Sequence, residues 1–179
     1  MPKKILAILA TARTGGNTNA LLEHCAKGAE EMGAQVEVLP IGTAKIAGCL
    51  GCDFCRNNHA LCIQKDDMQP LYQKLQEADA VVLACPVYYG SYTAQLKAFI
   101  DRLYCLTEKR PKKCALLLTA GGGAGENCAC AISSYQIAAQ YLNWQDQGYA
   151  LADQVDTPAQ VHAHPACAQA YRLGRALAQ

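Results

Sequence analysis

Unbroken apolar runs alternate with amphipathic stretches along the chain, and each kind of run predicts a different element. An unbroken apolar run is typical of a strand covered on both faces, whereas apolar positions three or four residues apart are typical of a helix packed by one face. Strands are predicted at Lys3–Ala10, Gln35–Leu39, Ala80–Cys85, Cys114–Thr119 and Gln147–Leu151. Helices are predicted at Asn17–Met32, after Asp66 or Asp67, at Ser91–Leu106, at Asn127–Leu142 and from about Pro158.

This alternation predicts five βα units in a single α/β domain over residues 1–179, as a parallel sheet with helices on both faces. The inward face of the first helix is predicted to carry Leu22, Cys25, Ala29 and Met32. The segment at about 42–65 is longer than an ordinary connection and is interpreted as a functional insertion. Ligands of such sheets bind beyond the carboxyl ends of the strands, where the strand order reverses.

Composition and charge narrow the classes of partner. A formal net charge of +1 provides no basic field for nucleic acid and no polybasic patch for a membrane surface. No apolar run approaches the roughly 20 residues that a membrane-spanning helix needs. The early apolar run Ile5–Ala10 is shorter than the h-region of a signal peptide and is better interpreted as a core strand. A cytoplasmic protein with small-molecule or protein partners is expected.

The segment Thr11–Thr18, between the first strand and its helix, is a candidate phosphate loop. Hydroxyls, glycines that expose backbone N–H groups, the charge of Arg13 and a helix N-terminus together form an anion site. The segment has neither the Walker pattern nor the dinucleotide-binding glycine pattern. The alternative is an ordinary Gly-Gly turn in which Asn17 or Thr18 caps the helix.

Two more loops at the same predicted edge suit a flat heterocycle. Cys85–Ser91 carries two tyrosines and a glycine, which can flank an aromatic ring. Thr119–Gly125 is glycine-rich and offers backbone N–H and C=O groups to the polar edge of a ring. The alternatives are a turn with tyrosine packed over the sheet and a mobile loop. Three such loops after the first, third and fourth strands together favour one ligand site.

The chain resembles the NAD(P)H-dependent FMN reductase superfamily. The resemblance covers about Met1 to Gly125, and it rests on the motifs Thr11-x-Arg13-x-x-Gly16-Asn17-Thr18, Pro86-Val-Tyr-Tyr-Gly90 and Gln95-Leu-Lys-Ala-Phe-Ile-Asp-Arg102. It implies a flavodoxin-like doubly wound sheet of order 2-1-3-4-5, FMN as cofactor, NAD(P)H or a ferredoxin-like protein as electron partner, and a homodimer or homotetramer. By the family pattern the FMN-binding residues are Thr11, Arg13, Gly16, Asn17, Thr18, Pro86, Val87, Tyr88, Tyr89, Gly90, Thr119, Gly121 and Gly122. Asp101 and Arg102 match the family but are interpreted as structural, at a polar helix end.

Four of the eleven cysteines, Cys49, Cys52, Cys55 and Cys62, fall within one short segment. Two-residue spacers wrap thiolates around one compact centre, as in ferredoxin-type sites. Within the superfamily this segment resembles that of the iron–sulfur flavoproteins, which implies a [4Fe–4S] cluster beside FMN, although no proline follows Cys62. A structural zinc site and metal-free thiols are the alternatives. His59 lies in the same segment, as a substitute ligand or a solvent-facing side chain.

Three functions are compatible with these motifs. The first is an FMN enzyme or electron carrier that relays electrons through a [4Fe–4S] cluster. The second is an NAD(P)H-dependent FMN or quinone reductase whose cysteines are structural. The third is a non-catalytic redox or metal sensor. No catalytic side chain is nominated, because a flavin carries out the redox chemistry itself and the protein tunes it.

Overall fold

A computed structural model describes residues 1–58, 62–106, 110–123, 125–157 and 160–179 of the chain. Its centre is one sheet of five parallel strands in the order β2-β1-β3-β4-β5. The strands are β1 (Lys4–Leu9), β2 (Gln35–Pro40), β3 (Ala80–Pro86), β4 (Lys112–Thr119) and β5 (Trp144–Ala152). The predicted doubly wound fold and its strand order are confirmed.

The strand order reverses beside β1. Ile5 of β1 is in register with Val36 of β2 on one side and with Ala80 of β3 on the other. The unbroken apolar runs form the buried strands β1, β3 and β4. Strand β2 lies at the edge of the sheet, and its residues are exposed or half-buried. The carboxyl ends of β1 and β3 therefore form the switch point where ligands of this fold bind.

Helices cover both faces of the sheet. They are α1 (Asn17–Glu30), α2 (Phe54–Asn57), α3 (Gln69–Glu77), α4 (Ala94–Arg102), α5 (Gly125–Tyr141) and α6 (Ala166–Ala178). The apolar core on one face is formed with α1 and α6, and the core on the other face with α3, α4 and α5. Within the described residues, none of these helices combines the length and the hydropathy needed to cross a membrane.

Several predicted helix ends are wrong. Helix α1 ends at Glu30, so Met32 does not belong to its inward face and is 39% exposed. Helix α4 begins only at Ala94, because the Thr93 hydroxyl accepts a hydrogen bond from the backbone N–H of Leu96, and it ends at Arg102. Helix α6 begins at Ala166, after a 3₁₀ turn at Gln160–Ala163, and the predicted start at Pro158 lies outside the described residues. The short helix α2 was not predicted.

Helices α1 and α6 approach each other to backbone contact. A Cβ atom at Gly174 of α6 would lie 1.9 Å from the carbonyl oxygen of Cys25, and one at Gly28 of α1 would lie 2.1 Å from the carbonyl oxygen of Tyr171. Both distances are far below van der Waals contact, and the facing atoms belong to helix backbones, which no side-chain rotation can move. Glycine is therefore required at both positions by packing.

We expect Gly174→Ala to destabilise the protein. Alanine improves helix propensity by about 1 kcal/mol, but it forces the two helices apart, and overpacking of this kind costs about 1–3 kcal/mol. Because the clash is with backbone, the packing cost outweighs the propensity gain. Chemical denaturation should show a lower free energy of unfolding. In the control Gly48→Ala the added Cβ meets nothing within 4 Å, and equal stability of the two variants would contradict the packing argument.

Candidate functional site

Loops from four strands meet in one cleft beyond the carboxyl edge of the sheet. The loops after β1, β3 and β4 are the three that the sequence predicts, and the loop after β5 joins them. The cleft is lined by Thr11, Arg13, Gly16, Asn17, Thr18, Pro86, Val87, Tyr88, Thr119, Ala120, Gly121, Val155 and Asp156. The structure thus brings together most of the predicted FMN-binding residues and adds Ala120, Val155 and Asp156, which the sequence did not single out.

The N-terminus of α1 opens into this cleft without a side-chain cap. Gly16 occupies the N-cap position, no side chain caps the helix, and its first turn holds no acidic residue. The interpretation of Asn17 or Thr18 as the cap is therefore wrong, since both side chains bond elsewhere. Exposed N–H groups at a helix N-terminus, with Arg13 exposed in the same loop, favour binding of an anion.

The side chains of Asn17 and Thr18 join the loops of the cleft to one another. The Asn17 amide nitrogen donates to the carbonyl oxygen of Val155 at 2.8 Å. The hydroxyls of Thr18 and Thr119 are hydrogen bonded at 2.7 Å and buried. The Asn17 side-chain oxygen is buried and has no hydrogen-bond partner among the described residues. A ligand that donates a hydrogen bond in the cleft would satisfy this oxygen.

The backbone just after β2 packs closely against the first residues of the phosphate loop. A Cβ atom at Gly42, just after β2, would lie 2.0 Å from the carbonyl oxygen of Thr11. The Thr11 hydroxyl in turn accepts a hydrogen bond from the backbone N–H of Arg13 at 3.2 Å. The loop is therefore held at its first residues by neighbouring backbone, which leaves Arg13 free to face a ligand.

The tyrosine loop forms a tight turn with left-handed backbone. Tyr88 and Ser91 exchange two backbone hydrogen bonds, and Tyr89 and Gly90 between them have φ angles of 49° and 74°. Two successive positive φ values are typical of a type I′ turn, which tyrosine adopts at a cost of roughly 1–2 kcal/mol. The exposed fractions of Tyr88 and Tyr89 are 50% and 107%. The turn of the alternative interpretation is therefore present, but the fully exposed Tyr89 does not pack over the sheet.

Asp156 shapes the opposite edge of the cleft. A Cβ atom at Gly121 would lie 2.5 Å from a carboxylate oxygen of Asp156, so the bare backbone of Gly121 makes room for this acidic side chain. The loop that carries Asp156 is held by the Gln160 side chain, which accepts hydrogen bonds from the N–H groups of Asp156 and Thr157 at 2.6 and 2.8 Å. Gly122 accepts from the N–H of Gln154 at 3.2 Å.

The cysteine segment surrounds a second, separate cavity. Cys49, Cys52, Cys55 and Cys62 all line it, and so do Arg102, Tyr104 and Cys105. Cys49 and Cys52 are exposed, Cys62 is intermediate and Cys55 is buried. His59 lies outside the described residues. All four cysteines of the predicted metal site therefore line the same cavity.

Cys105 is a fifth thiol in this cavity, and no pattern in the sequence singles it out. It follows α4 in a 3₁₀ turn and is 2% exposed. Burial, with a further contribution from the nearby Cys55 and Cys62, raises the pKa of the Cys105 thiol to about 11. In the sequence it resembles the other isolated cysteines of apolar runs, and only the fold brings it beside the cysteine segment.

The cysteines that line this cavity are of the ligand type used both by structural zinc and by iron–sulfur clusters. In the described parts of the chain, no three His, Cys, Asp or Glu side chains lie close enough together to hold one metal ion. Tetrahedral zinc needs its thiolates only about 3.8 Å apart, given Zn–S bonds of about 2.3 Å. A four-iron cluster is larger, and its four cysteines surround it from further apart. Cysteine thiolates are the ligands of both kinds of centre.

Backbone and side-chain hydrogen bonds close the base of the cysteine segment. The N–H of Lys45 donates to Asp67 at 2.7 Å, and the N–H of Ala47 donates to Asp66 at 3.0 Å. Gln64 donates to the carbonyl oxygen of Gly48 at 3.0 Å. These bonds join residues before the first cysteine to residues after the last, so the four cysteines lie on a closed loop.

Arg102 secures this base to α4. It is 1% exposed, and its two terminal nitrogens donate to the two carboxylate oxygens of Asp66 at 2.6 and 3.0 Å. Burial alone would raise the pKa of Asp66, but the Arg102 hydrogen bonds and charge, with the N–H groups of Ala47 and Met68, hold it below its ordinary value. The pair therefore stays ionised at neutral pH. The interpretation of Arg102 as a structural residue agrees with these contacts.

The phosphate loop and the cysteine cavity lie at opposite ends of α4. The cleft and the cysteine cavity share no lining residue. Thr93, at the start of α4, donates to the carbonyl oxygen of Ala10 at the base of the phosphate loop, whereas Arg102 ends the helix. Nine residues of helix span about 14 Å. The base of the cysteine segment contacts the end of α4, where Arg102 donates to the carbonyl oxygen of Ala47, whereas the phosphate loop contacts its start.

Comparison with known proteins decides the family. The model of the NADPH-dependent FMN reductase family matches residues 3–154. The chain belongs to this family. The resemblance inferred from the motifs is thereby confirmed, and the matched region contains the phosphate loop, the tyrosine loop and the cysteine segment.

Individual relatives agree with this assignment. An iron–sulfur flavoprotein of Archaeoglobus fulgidus is 43% identical over 100 residues, which cover 56% of this chain and 45% of that protein. An iron–sulfur flavoprotein of Methanosarcina thermophila is 34% identical over 122 residues, covering 66% and 63%. The chain thus spans about half the length of these curated relatives. A flavodoxin from the domain Archaea has a TM-score of 0.62 at 18% identity, covering 98% of this chain and 96% of its own, which shows the fold.

Proposed function

We propose that the chain binds FMN in the cleft beyond the carboxyl edge of the sheet and acts as a flavin-dependent oxidoreductase. The observation that carries this proposal is the uncapped N-terminus of α1, which opens beside Arg13 into a cleft built by four loops. Bound FMN accepts or donates a hydride or single electrons, so the protein has to hold and orient it.

The residues of the cleft divide into two groups. Arg13 and the backbone N–H groups at the start of α1 would hold the phosphate, because they offer positive charge and unpaired donors. Since the Thr18 and Thr119 hydroxyls bond each other, these residues would contribute mainly through backbone groups. The tyrosine turn and the backbone around Gly121 would flank the ring, with Val87 and Pro86 between them.

We further propose that Cys49, Cys52, Cys55 and Cys62 hold a [4Fe–4S] cluster. The support is their position around one cavity, the closed base of the segment and the similarity to iron–sulfur flavoproteins. A bound cluster would exchange single electrons. Electron exchange between the two centres would occur within one chain or across an interface of the predicted homodimer or homotetramer. Light scattering in solution tests that assembly.

The first expected result concerns the flavin itself. The purified protein should show the absorption bands of a flavin and should release FMN, not FAD, when denatured. The cleft has one helix N-terminus for one phosphate group, and we assign no site to a second nucleotide. Chromatography of the released flavin tests this. Release of FAD, or apoprotein that takes up no flavin, would contradict the proposed function.

The electron donor separates the proposed function from its alternatives. Steady oxidation of NADPH with a quinone or free FMN as acceptor would favour a plain reductase with structural cysteines. Reduction by a ferredoxin-like protein, with no NADPH oxidation, would favour an electron carrier with a cluster. A protein that binds FMN but shows neither activity would favour the sensor.

A further inference from the structure

The buried guanidinium of Arg102 has a donor that its ion pair does not use. One terminal nitrogen bonds Asp66 and the carbonyl oxygen of Ala47, and the other bonds Asp66. The third nitrogen, Nε, is buried and has no hydrogen-bond partner among the described residues. A buried N–H on a charged group without an acceptor is costly, and such a group calls for an explanation.

The position of Arg102 suggests which acceptor is missing. Arg102 lines the cavity of the four cysteines and is more deeply buried than any of the four. Thiolate and sulfide sulfur accept hydrogen bonds, and a cluster ligated by four thiolates is anionic, so a guanidinium N–H is a suitable partner. Such hydrogen bonds and nearby charges set the reduction potential of iron–sulfur centres.

We propose that Arg102 is a positioning and tuning residue for the group held by the cysteine segment. Its ion pair with Asp66 holds the base of the segment closed, and its Nε–H donates to sulfur of the bound group. This inference rests on the proposed cluster function. In this proposal Arg102, together with its partner Asp66, affects the reduction potential and the retention of the cluster, which the family motif alone does not indicate.

Charge gives the two partners opposite effects. A cation close to the centre favours the reduced, more negative state, whereas an anion disfavours it, and in a poorly solvated cavity both effects are weakly screened. Arg102→Met should therefore make the reduction potential of the cluster more negative, and Asp66→Asn should make it more positive. Both variants open the base of the segment, so both should lose iron faster than wild type to an added chelator.

The experiment uses the full chain loaded with iron and sulfide without air, after FMN content confirms folding. Iron and sulfide per chain, the rate of iron loss and the reduction potential by titration are measured for wild type and both variants. Arg56→Met is the matched control. Arg56 belongs to the same segment, but its side chain is 61% exposed, so water screens its charge and its removal should barely move the potential.

The proposal is supported if the reduction potential shifts in opposite directions in Arg102→Met and Asp66→Asn and only slightly in Arg56→Met. Residues with a purely structural role would not shift the reduction potential in opposite directions according to their charge. Shifts of equal sign, or none, overturn the proposal. If Arg102→Met binds no FMN, Arg102→Lys replaces it; lysine keeps the charge but lacks the Nε donor, and an unchanged potential then overturns the hydrogen bond. A wild-type chain that takes up no iron overturns the cluster function and this inference together.

Discussion

Replacing Cys52 with alanine is expected to abolish the binding of iron and sulfide while FMN stays bound. Cys52 lines the cavity of the cysteine segment but does not line the cleft proposed to bind FMN. Gathering four thiolates is unfavourable without a metal centre, because the ionised sulfurs repel one another and otherwise stay protonated. Loss of one ligand should therefore remove the cluster from the protein, and not merely weaken its binding.

The measurement is iron and sulfide per chain, with the visible spectrum, in protein purified without air. Cys105→Ala is a matched control, because Cys105 is a thiol in the same cavity but outside the four-cysteine motif. It should keep its iron. FMN content should equal that of wild type in both variants, since neither residue lines the cleft.

Two outcomes would contradict the assignment of the cluster to these four cysteines, and a third would contradict its role in electron transfer. Stoichiometric zinc in wild-type protein, without iron or sulfide, would show that the segment forms a structural zinc site. Full iron in Cys52→Ala together with loss of iron in Cys105→Ala would show that Cys105, and not Cys52, is the fourth ligand. If a Cys52→Ala protein without iron transfers electrons as fast as wild type, the cluster takes no part in that electron transfer.

The fold followed from the sequence because the three central strands are distinct apolar runs. The buried strands β1, β3 and β4 have no polar interruption, and the predicted order 2-1-3-4-5 is the observed one. Helix ends were predicted less well, because local contacts decide them. Helix α4 starts late since Ser91 pairs with Tyr88 in the turn and Thr93 supplies the cap.

The loops of the cleft were predicted correctly where their ligand-binding residue types lie next to one another in the sequence. The loops after β1, β3 and β4 each carry a recognisable run of glycine, hydroxyl or aromatic residues. Asp156 and Val155 were missed because the loop after β5 carries no such run, and their place in the cleft follows from the pairing of β5 with β4.

The surroundings of the cysteines were predicted least. The spacing indicated four thiols around one centre but not what lies behind them. Arg102 and Cys105 are about 40 residues further along the chain, and only the packing of α4 against the base of the segment brings them there.

Arg13→Ala is expected to weaken FMN binding by about 10- to 150-fold. A hydrogen bond between charged groups contributes about 1.5–3 kcal/mol, and Arg13 is the exposed cation of the phosphate loop. Titration of apoprotein with FMN, followed by flavin fluorescence, gives the dissociation constant. The effect should decrease at high salt, because the lost interaction is partly open to solvent.

Riboflavin distinguishes loss of a phosphate contact from damage to the loop. Riboflavin lacks the phosphate, so its dissociation constant should be nearly the same for wild type and Arg13→Ala. Arg172→Ala, which removes an exposed arginine from α6, controls for net charge and should leave FMN binding unchanged. Because the Arg13 N–H bonds the Thr11 hydroxyl through the backbone, which alanine retains, the loop should keep its conformation. Equal losses for FMN and riboflavin would show instead that the Arg13 side chain maintains the loop and that the phosphate is held by the N-terminus of α1 alone.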